Sequence, residues 1–361
     1  MNNYLEIVNR VHDLLYSEPN NGHWQKLYSQ DAKMLLEKAE IPSRVFKGLK
    51  LTPLKMYTNF TTINYCKKLS GKKETCDQRA RVQLRYHGVY VAHADWESKK
   101  SIRIFPVKLQ NTPDWSIENF KWNSTDGKSF RGFVKEHSHE YFIDPKNTKN
   151  KLCESFYESQ IIDHLTSSLS TLHPKGIKPI ALGGCRFQMP TVVSASDMWR
   201  GGISTLLYRA TGKRGGGIDI LCRSKSGPFG NVLTVIEVKD KAKPNNRETF
   251  DKVLGQAVAY AAFMRELLRS SDTNAEIWWK LFGFHNTGGI PEKLIIKAVV
   301  AMPSQDMSEI DIANAYNNRR ILIDINGSRD EIHLHHLSYD IDVSGEKIQK
   351  ITFPNDDLNK T

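Results

Sequence analysis

The sequence predicts an α/β chain in two parts: an N-terminal α+β domain over 1–150 and an α/β domain over 151–361. Three observations carry that prediction. The 361 residues suffice for two domains of ordinary size. From residue 151 the apolar pattern runs helix, strand, strand, strand, helix, strand, a layered α/β order. Charge changes at the same place: 1–150 hold 25 Lys/Arg against 16 Asp/Glu, and 151–361 hold 26 against 24.

Composition limits the class. Hydrophobic residues at 39% and aromatics at 10% support a packed core and exclude a wholly disordered chain. No apolar run reaches the roughly 18 residues that a transmembrane helix needs. The opening MNNYLEIVNRVHDLLYSE carries acids and lacks the basic-then-apolar signal pattern, so the expected location is cytoplasmic, with no membrane partner. Five widely spaced cysteines without a C-x-x-C argue against a disulfide framework and a structural zinc site.

In chain order, residues 4–16 place Leu5, Val8, Val11 (or His12) and Leu15 at helical spacing, and about 24–39 form a second helix ended by Pro42 and Gly48. Residues 41–110 carry 15 basic residues against 4 acidic ones, an excess as large as the whole chain's +11. Over 43–73 bases alternate with rings. That mixture suits nucleic acid, with cations on phosphates and rings on bases; core rings with a solvated lysine rim are the other reading. Residues 79–93 read as one alternating strand with Arg81, Gln83 and Arg85 on its outer face, and Ser101–Val107 as its partner. Residues 110–150 are turn-rich.

The second part opens with a helix carrying Glu154, Glu158, Ile161 (or Ile162), Leu165 and Leu169 on one face. Residues 185–196 have strand character, and a basic loop ending in Arg214 leads to the glycine run Gly215–Gly217. A helix over 248–268 carries Val253, Gln256, Tyr260, Met264 and Leu267 on one face. Residues 281–284 are short and apolar; 293–302, 320–325, 331–337 and 347–353 read as strands.

The chemistry concentrates in Gly215–Lys239. Two apolar segments, Ile218–Leu221 and Val232–Val238, flank a Ser/Gly/Pro turn and carry Asp219, Glu237 and Lys239. Strand alternation puts Glu237 and Lys239 on one face and Ile236 and Val238 on the other. If the two strands are neighbours, Asp219 converges on Glu237. Two carboxylates on rigid strands make an oxygen site for a hard cation such as Mg²⁺. A lysine beside them suits a water or a developing negative charge. The glycines would let a phosphate backbone come close. Other sites read more weakly. His333, His335 and His336 are either a metal pair or an ordinary histidine cluster, as are His137 and His139. No G-K-[ST] follows the glycines and no G-x-S-x-G occurs, which excludes a P-loop and a hydrolase elbow.

Gly217-Ile218-Asp219, seventeen residues and then Glu237-Val238-Lys239 resemble the PD-(D/E)XK, or restriction-endonuclease-like, nucleases. Gln256-Ala-Val-Ala-Tyr260 on the next helix is similar to that family's Q-x-x-x-Y signature. The resemblance covers 151–302, with Ile218 where the family has proline. It implies a restriction-endonuclease-like core, a mixed central sheet flanked by helices. It further implies Asp219 and Glu237 as ligands of Mg²⁺ or Mn²⁺, Lys239 at the attacking water, and Gln256 and Tyr260 in support. Glu158, preferred over Glu154, would be the further carboxylate. The expected activity is hydrolysis of DNA phosphodiesters by an endonuclease, as in restriction or anti-phage defence. Repair or mobile-element cleavage, RNA cleavage, and a non-catalytic binder on a nuclease fold are the alternatives. Lys67, Lys68, Lys72, Lys73, Arg81, Arg85 and Arg214 are the candidate nucleic-acid contacts. A homodimer would allow both strands to be cut.

Overall fold

The computed structural model describes residues 4–18, 20–38, 54–58, 80–98, 101–106, 120–121, 125–136, 154–167, 176–195, 216–225, 231–240, 248–285, 288–308, 310, 312–313, 319–343 and 347–353. In chain order the helices are α1 (Tyr4–Tyr16), α2 (His23–Lys38), α3 (Thr125–Glu136), α4 (Glu154–Thr166), α5 (Phe250–Arg269) and α6 (Ala275–Leu281). Strands β1 (Lys55–Thr58), β2 (Ala80–Tyr86), β3 (Val89–Ser98), β4 (Ser101–Pro106) and β5 (Phe120–Lys121) precede α3. After α4 come β6 (Lys178–Pro179), β7 (Ala181–Leu182), β8 (Cys185–Arg186), β9 (Pro190–Thr191), β10 (Gly216–Gly217), β11 (Ile220–Lys225) and β12 (Asn231–Val238). Then follow β13 (Ile295–Pro303), β14 (Arg320–Ile323), β15 (Asp330–Ile341) and β16 (Ile348–Thr352).

These elements form a mixed α/β chain of two compact units. One comprises Met1–Leu36, Gln160–Ile180 and Gln188–Thr361; the other comprises Glu37–Ser159 and Ala181–Phe187. The division differs from a boundary at 150, because α1 and most of α2 fold with the C-terminal part. Their apolar stripe decides this. Val8, Val11 and Leu15 are buried, α1 packs on α5, and Trp24 and Tyr28 lie against Phe263. The stripe starts at Tyr4; Leu5, expected on it, is 40% exposed.

The larger unit is built on the sheet β14-β15-β13-β12-β11-β6, with β16 also paired to β15. β12, β13 and β15 run parallel, and β11, β14 and β16 pair antiparallel with their neighbours. β13 is buried along its whole length, which is why IIKAVVAMP reads as a nearly continuous apolar run. α5 packs on β12 and β13, and Thr249 caps its N-terminus by accepting from the Lys252 N–H at 3.4 Å. Arg265 and Arg269 of α5 tie it to Asp330 at the head of β15.

The second unit contains the sheet β5-β4-β3-β2-β1-β8-β7, antiparallel except for the β1–β8 pair. Residues 79–93 are a hairpin and not one strand. The chain reverses at His87 and Gly88, with φ of 42° and 84°, the left-handed pair that a two-residue turn requires. A Cβ on Gly88 would lie 1.9 Å from the Ser155 carbonyl oxygen, so only glycine fits. Within the stretch read as turn-rich, Thr125–Glu136 forms α3.

Candidate active site

The site is assembled where β11 begins and β12 ends. β11 pairs antiparallel with β12, with Ile220 opposite Ile236. One step further along this register sets Asp219 opposite Glu237. The carboxylate oxygens of Asp219 and Glu237 lie within 4.8 Å of one another. Behind them Ile218, Ile220, Ile236 and Val238 are all buried. Alternation therefore turns the acids to one side and the aliphatics into the core.

Hydrogen bonds hold the acids in place. The Val238 N–H donates to Asp219 Oδ2 at 2.8 Å. The Lys239 ammonium donates to Glu237 Oε1 at 2.8 Å and lies 4.0 Å from Glu248 Oε2, and Glu248 in turn pairs with Lys252. Lys239's own backbone is pinned on both sides. Its N–H donates to the Ala301 carbonyl at 2.9 Å, and its carbonyl accepts the Tyr339 hydroxyl.

The electrostatics follow from this crowding. Burial, and next the Glu237 carboxylate, push the Asp219 carboxyl well above the usual range; Lys239 and the Val238 N–H pull it back. Two acids with one lysine leave the site short of positive charge. The donor set is all oxygen, which suits a hard divalent cation.

α5 supplies the other wall. Tyr260 is 7% exposed, and burial, Glu237 and Asp219 raise its phenol, so it stays neutral and can donate. Gly216 makes room for it, since a Cβ there would lie 2.7 Å from the Tyr260 hydroxyl. This is a different use of the glycine run from the phosphate approach expected of it. At Gly217 the nearest atom to such a Cβ is 3.7 Å away. Gln256, one turn before Tyr260, is fully buried, and neither its Oε1 nor its Nε2 has a hydrogen-bond partner among the described residues. A buried amide left so costs stability, which fits a polar occupant at this wall.

The approach to Asp219 is fixed by residues far away in sequence. Gly216 and Gly217 pair with Thr191 and Pro190. The Ile218 N–H donates to the Met189 carbonyl at 2.8 Å, and the Tyr28 hydroxyl donates to the Pro190 carbonyl at 2.7 Å. Thr191, Tyr28 and Tyr339 carry no local signal of these roles. Only the fold brings them here.

Glu158 and Glu154 lie on the first part of α4, within the second unit. Glu158 is 4% exposed and lies beside Tyr57; Glu154 is half-buried. Lys67, Lys68, Lys72, Lys73 and Arg214 lie outside the described residues, as does the side chain of Arg81. The Arg85 guanidinium sits 4.3 Å above the Tyr57 ring and donates to Gln83 Oε1. His137 and His139 are also outside the described residues. His333 Nε2 lies 2.7 Å from Glu331 Oε2, a hydrogen bond within β15 that already engages one of its nitrogens. Among the described residues, no metal-sized group of ligand atoms includes His333, His335 or His336. Lys297, fully buried in β13, is a charge that the apolar reading of its strand passed over; burial lowers it to about 8.

Among the described residues no helix is long and apolar enough to cross a membrane. Comparison of the chain with family models, curated proteins and solved structures gives no match.

Proposed function

We propose that this chain is a metal-dependent endonuclease of the PD-(D/E)XK kind that hydrolyses DNA phosphodiesters, with Mg²⁺ or Mn²⁺ held by Asp219 and Glu237. The observation that carries the reading is the carboxylate pair on adjoining strands with the Lys239 ammonium 2.8 Å from Glu237. The mixed sheet with α5 packed on its strands is compatible with a restriction-endonuclease-like core. A divalent cation bound there would polarise the scissile phosphate and acidify a bound water. Lys239 contributes a fixed positive charge beside the reacting phosphate, where negative charge grows as water adds to phosphorus and the P–O bond breaks. Tyr260 presents a neutral hydroxyl, and the Gln256 amide offers both a donor and an acceptor to whatever polar group occupies the site. Arg81, Arg85, Arg214 and the lysines at 67, 68, 72 and 73 are proposed to meet the substrate backbone.

A role in restriction or defence, and a homodimer that cuts both strands, belong to this proposal. The test is incubation of the chain with supercoiled plasmid and phage DNA in Mg²⁺, in Mn²⁺ and in chelator. Nicked or linear product with either metal and none with chelator supports the reading. Product in chelator would remove the metal from it. Binding without cutting under every condition would favour a non-catalytic binder.

A further inference from the structure

One register row crosses five strands of the second unit's sheet. It runs Arg186 on β8, Tyr57 on β1, Gln83 on β2, His93 on β3 and Phe105 on β4. At about 4.8 Å per strand the row is roughly 19 Å long. The alternate positions, Val82, Leu84, Ala92, Ala94 and Ile104, are buried and form the sheet's apolar side. Along the row Tyr57 is buried, and Gln83, His93, Phe105 and Arg186 are half-buried, so the His93–Phe105 end is the more exposed one.

The side of the sheet that carries the row combines rings with cations. His93 and Phe105 stack with centroids 4.7 Å apart and planes at 13°, and the Tyr90 hydroxyl lies 3.0 Å from His93 Nδ1. At the other end Arg85 covers Tyr57, and Arg186 donates to the Tyr57 hydroxyl at 3.2 Å and to Ser159 Oγ at 2.9 Å. Lys55 pairs with Arg85 in the adjoining row and is exposed. The acid beside Tyr57 is Glu158, which is buried.

We infer that this sheet face binds a single-stranded segment of DNA, with bases stacking at the His93–Phe105 end and phosphates meeting Lys55, Arg85 and Arg186. The inference rests on the reading that the chain acts on DNA. Stacking on a side-chain ring needs an unpaired base, which a duplex does not offer. The flanking cations supply the sequence-independent attraction of a phosphate backbone.

The test is fluorescence anisotropy of the full chain, in chelator so that nothing is cut, with an oligo-dT of about 20 nucleotides, a duplex of equal length and an oligo-U. The expected result is tighter binding of oligo-dT than of duplex. Phe105→Ala should weaken it about 10-fold and Phe105→Trp should restore it, which separates lost stacking from misfolding. Arg85→Ala should flatten the salt dependence by about one phosphate contact. Wild-type affinity in Phe105→Ala would overturn the proposal, as would an unchanged salt dependence in Arg85→Ala, tighter binding of duplex or oligo-U, or no binding at all. The two readings fail separately. If Asp219→Ala stops cleavage while Phe105→Ala binds normally, the sheet face is refuted and the active site stands. If oligo-dT binding depends on Phe105 but no DNA is ever cut, the sheet face stands and the nuclease is refuted.

Discussion

The backbone N–H of Val238 donates to Asp219 Oδ2, so the strand that presents Glu237 and Lys239 also orients the carboxylate of its neighbour. One oxygen of Asp219 is thereby committed to β12. The spacing of the two acids follows from sheet register, and no flexible loop sets it. Preorganisation of this kind keeps the two carboxyl groups side by side, where a bound cation would favour the charged form of both.

Lys239→Ala should lower the cleavage rate by on the order of 10²-fold or more while leaving metal binding intact. Its ammonium donates to Glu237 Oε1, and the proposed reaction uses its charge and does not need it as a ligand. Single-turnover cleavage and calorimetric titration of Mn²⁺ measure the two effects separately. Loss of metal binding in this variant would make the lysine's role structural.

Gly216→Ala forces a Cβ to 2.7 Å from the Tyr260 hydroxyl, with the Val193 carbonyl at 3.1 Å and Thr191 Oγ1 at 3.2 Å. A cost of about 1–3 kcal/mol is expected, read as a lower melting temperature. Tyr260→Phe in the same chain removes the closest of the three atoms and should recover part of the loss. Full additivity of the two changes would show that the hydroxyl is not the clashing group.

Gln256→Met should stabilise the metal-free chain by about 1–3 kcal/mol, because it removes, at little change in volume, a buried amide with no hydrogen-bond partner among the described residues. The same variant should cut more slowly. Urea denaturation and plasmid cleavage give the two numbers. A destabilised Gln256→Met would mean that the amide is satisfied in solution.

Acid should weaken the fold through β15. Burial, followed by the charges of Lys297 and His333, lowers His335 to about 3, and its Nε2 has no hydrogen-bond partner among the described residues. Burial likewise takes His336 to about 4 and holds His333 below its ordinary value. The unfolded chain takes up protons below about pH 6.5, whereas these folded imidazoles do not. Their contribution is therefore complete above that pH and falls as pH drops toward 3–4. Melting temperatures at about pH 7.5 and 5 should differ, and His335→Leu should narrow the difference. An unchanged difference would refute the assignment.

The sequence discloses what depends on local period. Alternation in GIDIL and VLTVIEV set Asp219 and Glu237 on their strands, and the four-residue step from Gln256 to Tyr260 placed both on one buried helix face. The reversal at His87–Gly88 was hidden because RVQLRYHGVYVAH keeps an alternating pattern through the turn. α6 was missed because AEIWWKL is short and apolar on more than one side. Membership of α1 and α2 in the larger unit depends on which surface Trp24 and Tyr28 meet, and no local pattern reveals that. The same holds for Tyr28 and Tyr339, whose hydroxyls donate to the carbonyls of Pro190 and Lys239, 162 and 100 residues away, and for Thr191, whose backbone pairs with Gly216.

The central claim is that Asp219 and Glu237 form one metal-dependent cleavage site. Its most direct measurement is plasmid cleavage in Mg²⁺ by the wild-type chain and by Asp219→Ala, with melting curves confirming that both are folded. The account expects nicked or linear product from the wild type and none from the folded variant. Equal cleavage by a folded Asp219→Ala chain would contradict it.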